Sequence, residues 1–194
     1  MALCCSHTAA GYVAYEAVRP PGPHRPGLLV TAVALANAPD VDFLPGILVG
    51  HPGAFHRGVT HTLAAAIVVA LAAWLVGRLR DPGWSPRVAL WAGAIYVSHL
   101  LVDYFTVDSR GPGGGRFLWP LSDAYWISPV TPLHEIVIDR SGRAAFFRSL
   151  TAPETRGVWI EEISILLGVV AAVHLVRALL AAAWSTVPGV AEDM

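Results

Sequence analysis

Apolar runs broken by short proline- and arginine-rich stretches dominate the chain. Residues 3–18 form a first helix, with His7, Gly11, Ala14 and Val18 on one narrow side that lets a neighbour approach closely. "RPPGPHRPG" at 19–27 is a stiff turn. "LLVTAVALANA" at 28–38 is a second, short apolar helix that Pro39 ends, because the residue before proline disfavours the helical region. "PDVDFLPG" is then a loop carrying two aspartates. Residues 59–77 have the length that crosses a bilayer, roughly 17–25 residues. After the breaker "RLRDPGWSPR" a second span runs over 88–105, and a third over 158–184. Residues 106–157 are polar and rich in glycine and proline, yet Phe117, Leu118, Trp119, Trp126 and Ile127 make them a structured interfacial segment rather than a linker. The pattern predicts an all-α, polytopic membrane helical bundle of three clear spans and two shorter N-terminal helices, forming one membrane-embedded domain over residues 1–194.

Composition agrees with that pattern. Hydrophobic residues make up 55% of the 194 positions and charged residues 14%, against roughly 45–50% and about 25% in soluble domains. Mean hydropathy is +0.54. A net charge of −1 leaves no basic face for nucleic acid, although all 13 basic residues are arginine. Cys4 and Cys5 are adjacent and no CxxC pair exists, which argues against a thiolate zinc site or a redox motif. The N-terminal run lacks a basic leader and carries His7 and Glu16, so it reads as a retained helix rather than a signal peptide. Trp84, Trp91, Trp119, Trp159 and Trp184 lie near span ends, as an interfacial belt requires.

The polar residues inside this apolar pattern carry the chemistry. His61 opens one span; His99 and Asp103, one turn apart, close the next. A short connection makes these spans antiparallel neighbours, so His56, His61, His99 and Asp103 converge at one membrane face. By the same alternation the first helix starts there and the second returns there, bringing His7 and the Asp40/Asp42 loop. Gly58 allows the turn between His56 and His61, with Thr60 as N-cap. Imidazole and carboxylate without thiolate suit zinc, manganese or iron. Seven such side chains exceed the needs of one ion, and either two ions or one ion with outer carboxylates orienting the histidines accounts for the surplus. For other histidines the bland reading prevails: His174 hydrogen-bonds a neighbouring helix, and His24 and His51 are solvated. Glu161 and Glu162 sit at the start of the last helix, where its dipole favours carboxylates, and suit a structural role and a role behind the ligands equally.

His7, "PDVD" at 39–42, "HRGVTHT" at 56–62, "SHLLVD" at 98–103, and the later Thr106, Gly111 and "LWP" at 118–120 together resemble the YdjM-like family of inner-membrane metal-dependent hydrolases. The resemblance covers residues 7 to about 125, with Thr62 where the family often has serine. It implies an α-helical inner-membrane protein, sometimes likened to zinc-dependent phospholipase C, with a bound divalent metal.

The expectation is therefore metal-dependent hydrolysis of a phosphate ester or phospholipid-like substrate at the inner membrane. His7, Asp40, His56, His61, His99 and Asp103 are the metal-ligand candidates, for zinc first and manganese as the alternative. Asp40 or Asp42 completes the ligand set or acts as general base, and Arg57 binds an anionic substrate group bidentately. Membrane lipid and a small-molecule or lipid substrate are the expected partners. The rival reading is a non-catalytic membrane protein whose metal is structural or transported.

Overall fold

The computed structural model describes residues 4–18, 23–81, 83, 86–109 and 112–185. Residue 3, residues 19–22 of the stiff turn, Pro82, Trp84 and Ser85 of the breaker, and Gly111 lie outside them. The described residues contain no strand, only isolated bridges pairing Thr106 with Leu133 and Gly115 with Trp126. The helices are α1 (Cys4–Val18), α2 (Pro26–Asn37), α3 (Phe43–Leu48), α4 (Leu63–Arg80), α5 (Pro86–Tyr104), α6 (Arg143–Leu150) and α7 (Arg156–Ser185). Short 3-10 turns at Ala38–Asp42, Val59–His61 and Pro153–Thr155 lead into α3, α4 and α7.

Three segments are long and apolar enough to cross a membrane: Pro26–Leu48, Leu63–Arg80 and Pro153–Ala183. Three spans were expected, but the membership differs. The second α-helix ends at Asn37, just before Pro39 as expected, but the residues after it are helical rather than a loop. Pro39 sits in the opening turn of the 3-10 segment, where a missing N–H costs nothing, and the chain carries on into α3. The helix at 88–105 is present but is not among the three segments, and one side of it is buried while Leu90 and Leu101 are exposed. Along α5, Ala89, Ala92, Gly93, Ile95, Tyr96, His99, Leu100 and Asp103 are buried.

That placement solves an energetic problem. Ionisable groups facing lipid cost about 2.5–3.5 kcal/mol each on insertion scales. The helices that carry His7, His99 and Asp103, α1 and α5, pack on each other, while α2 and α7 flank α1 and α2 and α4 flank α5. The apolar helices turn Ile67, Val68 and Leu71 of α4 and Leu167, Leu175 and Leu179 of α7 outward. Between α1, α2 and α5 lies a core of Tyr15, Ala32, Ala36 and Ile95. Small residues permit the approach: a Cβ on Gly11 would meet Ala32 O at 2.9 Å and Ala36 Cβ at 3.0 Å. Polar ties hold α7 to the bundle. Arg177 donates to the Glu16 carbonyl at 2.9 Å, Tyr12 Oη and His174 Nε2 lie 3.0 Å apart, and Glu162, 1% exposed, accepts from Ser6 N at 2.7 Å. Because α7 begins at Arg156, Glu161 and Glu162 lie beyond its first turn, and they act through His134 and Ser6 respectively rather than through the helix dipole.

Gly11→Leu should therefore lower the thermal stability of the purified protein by about 1–3 kcal/mol, the usual cost of overpacking. Gly27→Ala, where nothing lies within 4 Å of the added carbon, should leave the melting temperature unchanged or slightly higher.

Candidate metal centre

Antiparallel packing of α4 on α5 sets the start of one beside the end of the other. The Val59–His61 turn delivers His61, and the last turns of α5 deliver His99 and Asp103. The first turn of α1 brings His7, the turn after α2 brings Asp40 and Asp42, and the loop before the Val59–His61 turn brings His56 and Arg57. The expected N-cap at Thr60 is found two residues later. Thr62 has extended backbone and accepts from Ala65 N at 3.1 Å, so α4 starts at Leu63 and His61 precedes it. Thr60 instead joins the site: its hydroxyl donates to Asp42 Oδ2 at 2.7 Å, and its carbonyl accepts from Tyr96 Oη.

The candidate ligands form three overlapping triads, His7–Asp40–His99, Asp40–His56–His61 and His61–His99–Asp103, the donor atoms of each lying within 4.8 Å of one another. His7, His61 and His99 are fully buried and Asp103 is 1% exposed. His61 Nε2 and His99 Nε2 lie 3.2 Å apart. Asp40 Oδ1 is 3.5 and 3.7 Å from these two nitrogens, and Asp103 Oδ2 is 3.7 and 3.8 Å from them. Such separations suit atoms that share an ion at the usual zinc distances of about 2.0–2.2 Å, whose tetrahedral edges are about 3.3–3.6 Å.

The hydrogen bonds decide what the ring nitrogens can be. His99 Nδ1 donates to the Ala36 carbonyl at 2.9 Å, which leaves its Nε2 a bare lone pair. His61 Nδ1 lies 3.1 Å from both Asp42 Oδ2 and Thr60 Oγ1, so its Nε2 also faces the centre. Two imidazole lone pairs 3.2 Å apart repel unless a cation or a shared proton lies between them. Other atoms have the same need. Both nitrogens of His7, His56 Nε2, Asp40 Oδ1 and both oxygens of Asp103 are buried without a hydrogen-bond partner, each normally costing about 1–3 kcal/mol. The residues present fit a divalent cation. The surrounding carboxylates favour positive charge: burial opposes protonation of His61, but Asp40 and Asp42 outweigh it and hold the imidazole up to about 9. Burial pushes His56 down to about 4, its bond to Asp42 offsetting part of the effect.

Asp42 differs from its neighbours in being satisfied. It accepts from His56 Nδ1 at 2.9 Å, Arg57 N at 3.1 Å and the Thr60 hydroxyl, besides facing His61. Its role here is to aim His56 and His61, which leaves Asp40 as the carboxylate facing the centre. Arg57 has a left-handed backbone (φ 61°), rare for a side chain of this size, held by that bond to Asp42. Its guanidinium bonds Asp108 and donates to the Gly114 carbonyl at 3.1 Å, with NH2 3.5 Å from Asp103 Oδ1. Asp108 is the participant that sequence reasoning missed. It lies 51 residues from Arg57 in a glycine-rich stretch, and its only signal was an acid within the segment expected to cover the site. His134 does not join the cluster; its Nδ1 pairs with Glu161 Oε2 at 2.6 Å.

Thr60→Val removes a donor that fixes Asp42 while touching His61 only at Nδ1, the nitrogen turned away from the centre. Metal affinity measured against a competing chelator should fall about 10–100-fold, the usual effect of losing a group that orients a ligand, whereas His134→Ala should leave it unchanged.

No solved structure matches the chain. It is 36% identical over 107 residues to the inner membrane protein YbcI of Escherichia coli (strain K12), a stretch covering 54% of this chain and 60% of that protein. Residues 1–184, which include every candidate ligand, match the family described as YdjM inner membrane protein. With three helices apolar enough to cross a bilayer and this family match over nearly its whole length, the chain belongs to the YdjM inner membrane protein family and is a multi-pass protein of the inner membrane.

Proposed function

We propose that the protein is a metal-dependent hydrolase acting on a phosphate ester at the membrane surface, with a phospholipid-like molecule as the substrate class. The observation that carries the reading is an open cavity of about 1140 Å³ lined in part by Asp42, His56, Arg57 and Thr60, the residues bordering the metal centre. A purely structural site needs no such approach. The cavity is amphiphilic. Val41, Leu44, Leu48, Phe55 and Val59, all more than half exposed, supply an apolar wall, while Arg57, Arg116 and Arg140 supply cationic groups. An acyl chain suits the first and a phosphate the second.

A divalent cation in the centre supplies Lewis acidity and lowers the pKa of water towards neutrality. His61, His99, Asp40 and Asp103 would hold it, zinc matching the nitrogen and oxygen donors and manganese being the alternative. The protein's own contribution is orientation. Asp42 aims His56 and His61, and the Ala36 carbonyl aims His99. Arg57 lies beside Asp103, its Nε and NH2 without hydrogen-bond acceptors, and that edge is placed to take a phosphoryl oxygen as its charge grows.

The rival is a structural metal, favoured by the complete burial of His7, His61 and His99. The test uses protein in lipid nanodiscs, stripped by chelator and restored with zinc or manganese, on a panel of phosphate and carboxylate esters. We expect phosphodiester or phosphomonoester turnover that vanishes on stripping and returns on reloading. Unfolding on stripping, with no turnover when loaded, would establish the structural reading.

Arg57→Lys separates a bidentate clamp from a simple charge. Turnover should fall at least tenfold with metal content retained, because lysine keeps the charge but loses the planar fork. Full activity would remove Arg57 from substrate binding.

A further inference from the structure

Once an ion is placed between His61 and His99, donors remain on both sides. The four imidazoles run in a row, with ring centroids 4.8 Å apart for His56 and His61, 5.0 Å for His61 and His99, and 3.7 Å for the stacked pair His99 and His7. The two ends of the row are unsatisfied: both nitrogens of His7 and Nε2 of His56 have no partner, and both side chains are wholly buried. Groups that merely support a site look different here. Asp42 uses both oxygens on protein donors.

The triads divide the donors in an informative way. None contains both His7 and His56. His7–Asp40–His99 and Asp40–His56–His61 have only Asp40 in common. A neutral imidazole offers one lone pair to one ion, whereas a carboxylate has two oxygens and can serve two. Asp103 sits in the same relation to both halves. Its Oδ2 is 3.7 Å from His61 and 3.8 Å from His99, and its other oxygen is 3.9 Å from His7.

We propose that the cluster holds two divalent cations, one with His56 and His61 and one with His7 and His99, and that Asp40 and Asp103 serve both. The inference rests on the metal-binding part of the reading above and not on hydrolysis. It accounts for His56 Nε2 at one end of the row and for one nitrogen of His7 at the other, which a single ion between His61 and His99 leaves unexplained. Two ions bring four positive charges to a cluster that holds the three carboxylates of Asp40, Asp42 and Asp103, leaving a net positive charge that attracts an anionic ligand such as a phosphate to the adjoining cavity. Two-metal sites of this kind hold their ions about 3.5–4 Å apart.

The test is the number of ions per chain, read on full-length protein loaded with manganese, desalted and assayed for metal, with electron paramagnetic resonance as the second readout. The expected count is two per chain, with the spectrum of an exchange-coupled pair. His7→Ala and His56→Ala should each reduce the count from two to one and replace the coupled spectrum by that of an isolated ion, while His134→Ala keeps two. A count of one in the wild-type protein overturns the second ion and leaves the metal-dependent reading standing. A count of zero overturns both. A count of two retained in His7→Ala and His56→Ala overturns the assignment. If either variant fails to fold, the wild-type count and its coupling still decide the matter. Two coupled ions without turnover on any ester would uphold this inference and defeat the hydrolase.

Discussion

Two imidazole nitrogens face each other 3.2 Å apart in the interior of the bundle, so a cation or a shared proton must lie between them. Most of the structure can be read as the means of holding them there. Ala36 and Asp42 fix the outer nitrogens, so neither ring can relieve the contact by changing its tautomer. Asp40 and Asp103 stand next to the pair, adding negative charge where the lone pairs already crowd. Positive charge at that point relieves all four groups at once, and its removal leaves a set of uncompensated buried acceptors.

The helices are arranged to make that arrangement tolerable in a membrane. The candidate ligands are confined to α1, α5 and the turns between helices, the polar groups of α7 turn towards α1, and the segments most able to face lipid lie outside. Close approach at Gly11 lets α1 lie against α2, and Glu162 of α7 holds the first turn of α1, next to His7. On the cavity side, the polar segment is tied down by Arg57 through Asp108 and Gly114, and by Leu63 N donating to the Phe117 carbonyl at 2.8 Å. Arg57 thus links the metal centre to the segment that borders its approach.

Much of this was legible in the sequence because alternation of antiparallel helices is a strong geometric constraint. Once residues near 60 and near 103 were assigned to adjacent helix ends, convergence of His61 with His99 and Asp103 followed from connectivity alone. Hydropathy was less informative about which helix faces lipid. The helix expected as a span at 88–105 has one side buried against its neighbours, and the helical path that continues as a 3-10 turn past Pro39 into α3 supplies the third long segment instead. The division of labour between Asp40 and Asp42 was not readable, since residues two apart in a tight turn point differently and only their partners separate them. Asp108 escaped notice because its pairing with Arg57 crosses the whole of α4 and α5.

The most direct measurement is X-ray absorption at the zinc edge on zinc-loaded protein. The account predicts nitrogen and oxygen scatterers alone at about 2.0–2.2 Å, with the outer-sphere pattern of several imidazoles. A sulfur contribution near 2.3 Å, which only Cys4, Cys5 or a methionine could supply, or a spectrum without imidazole scattering, would contradict it.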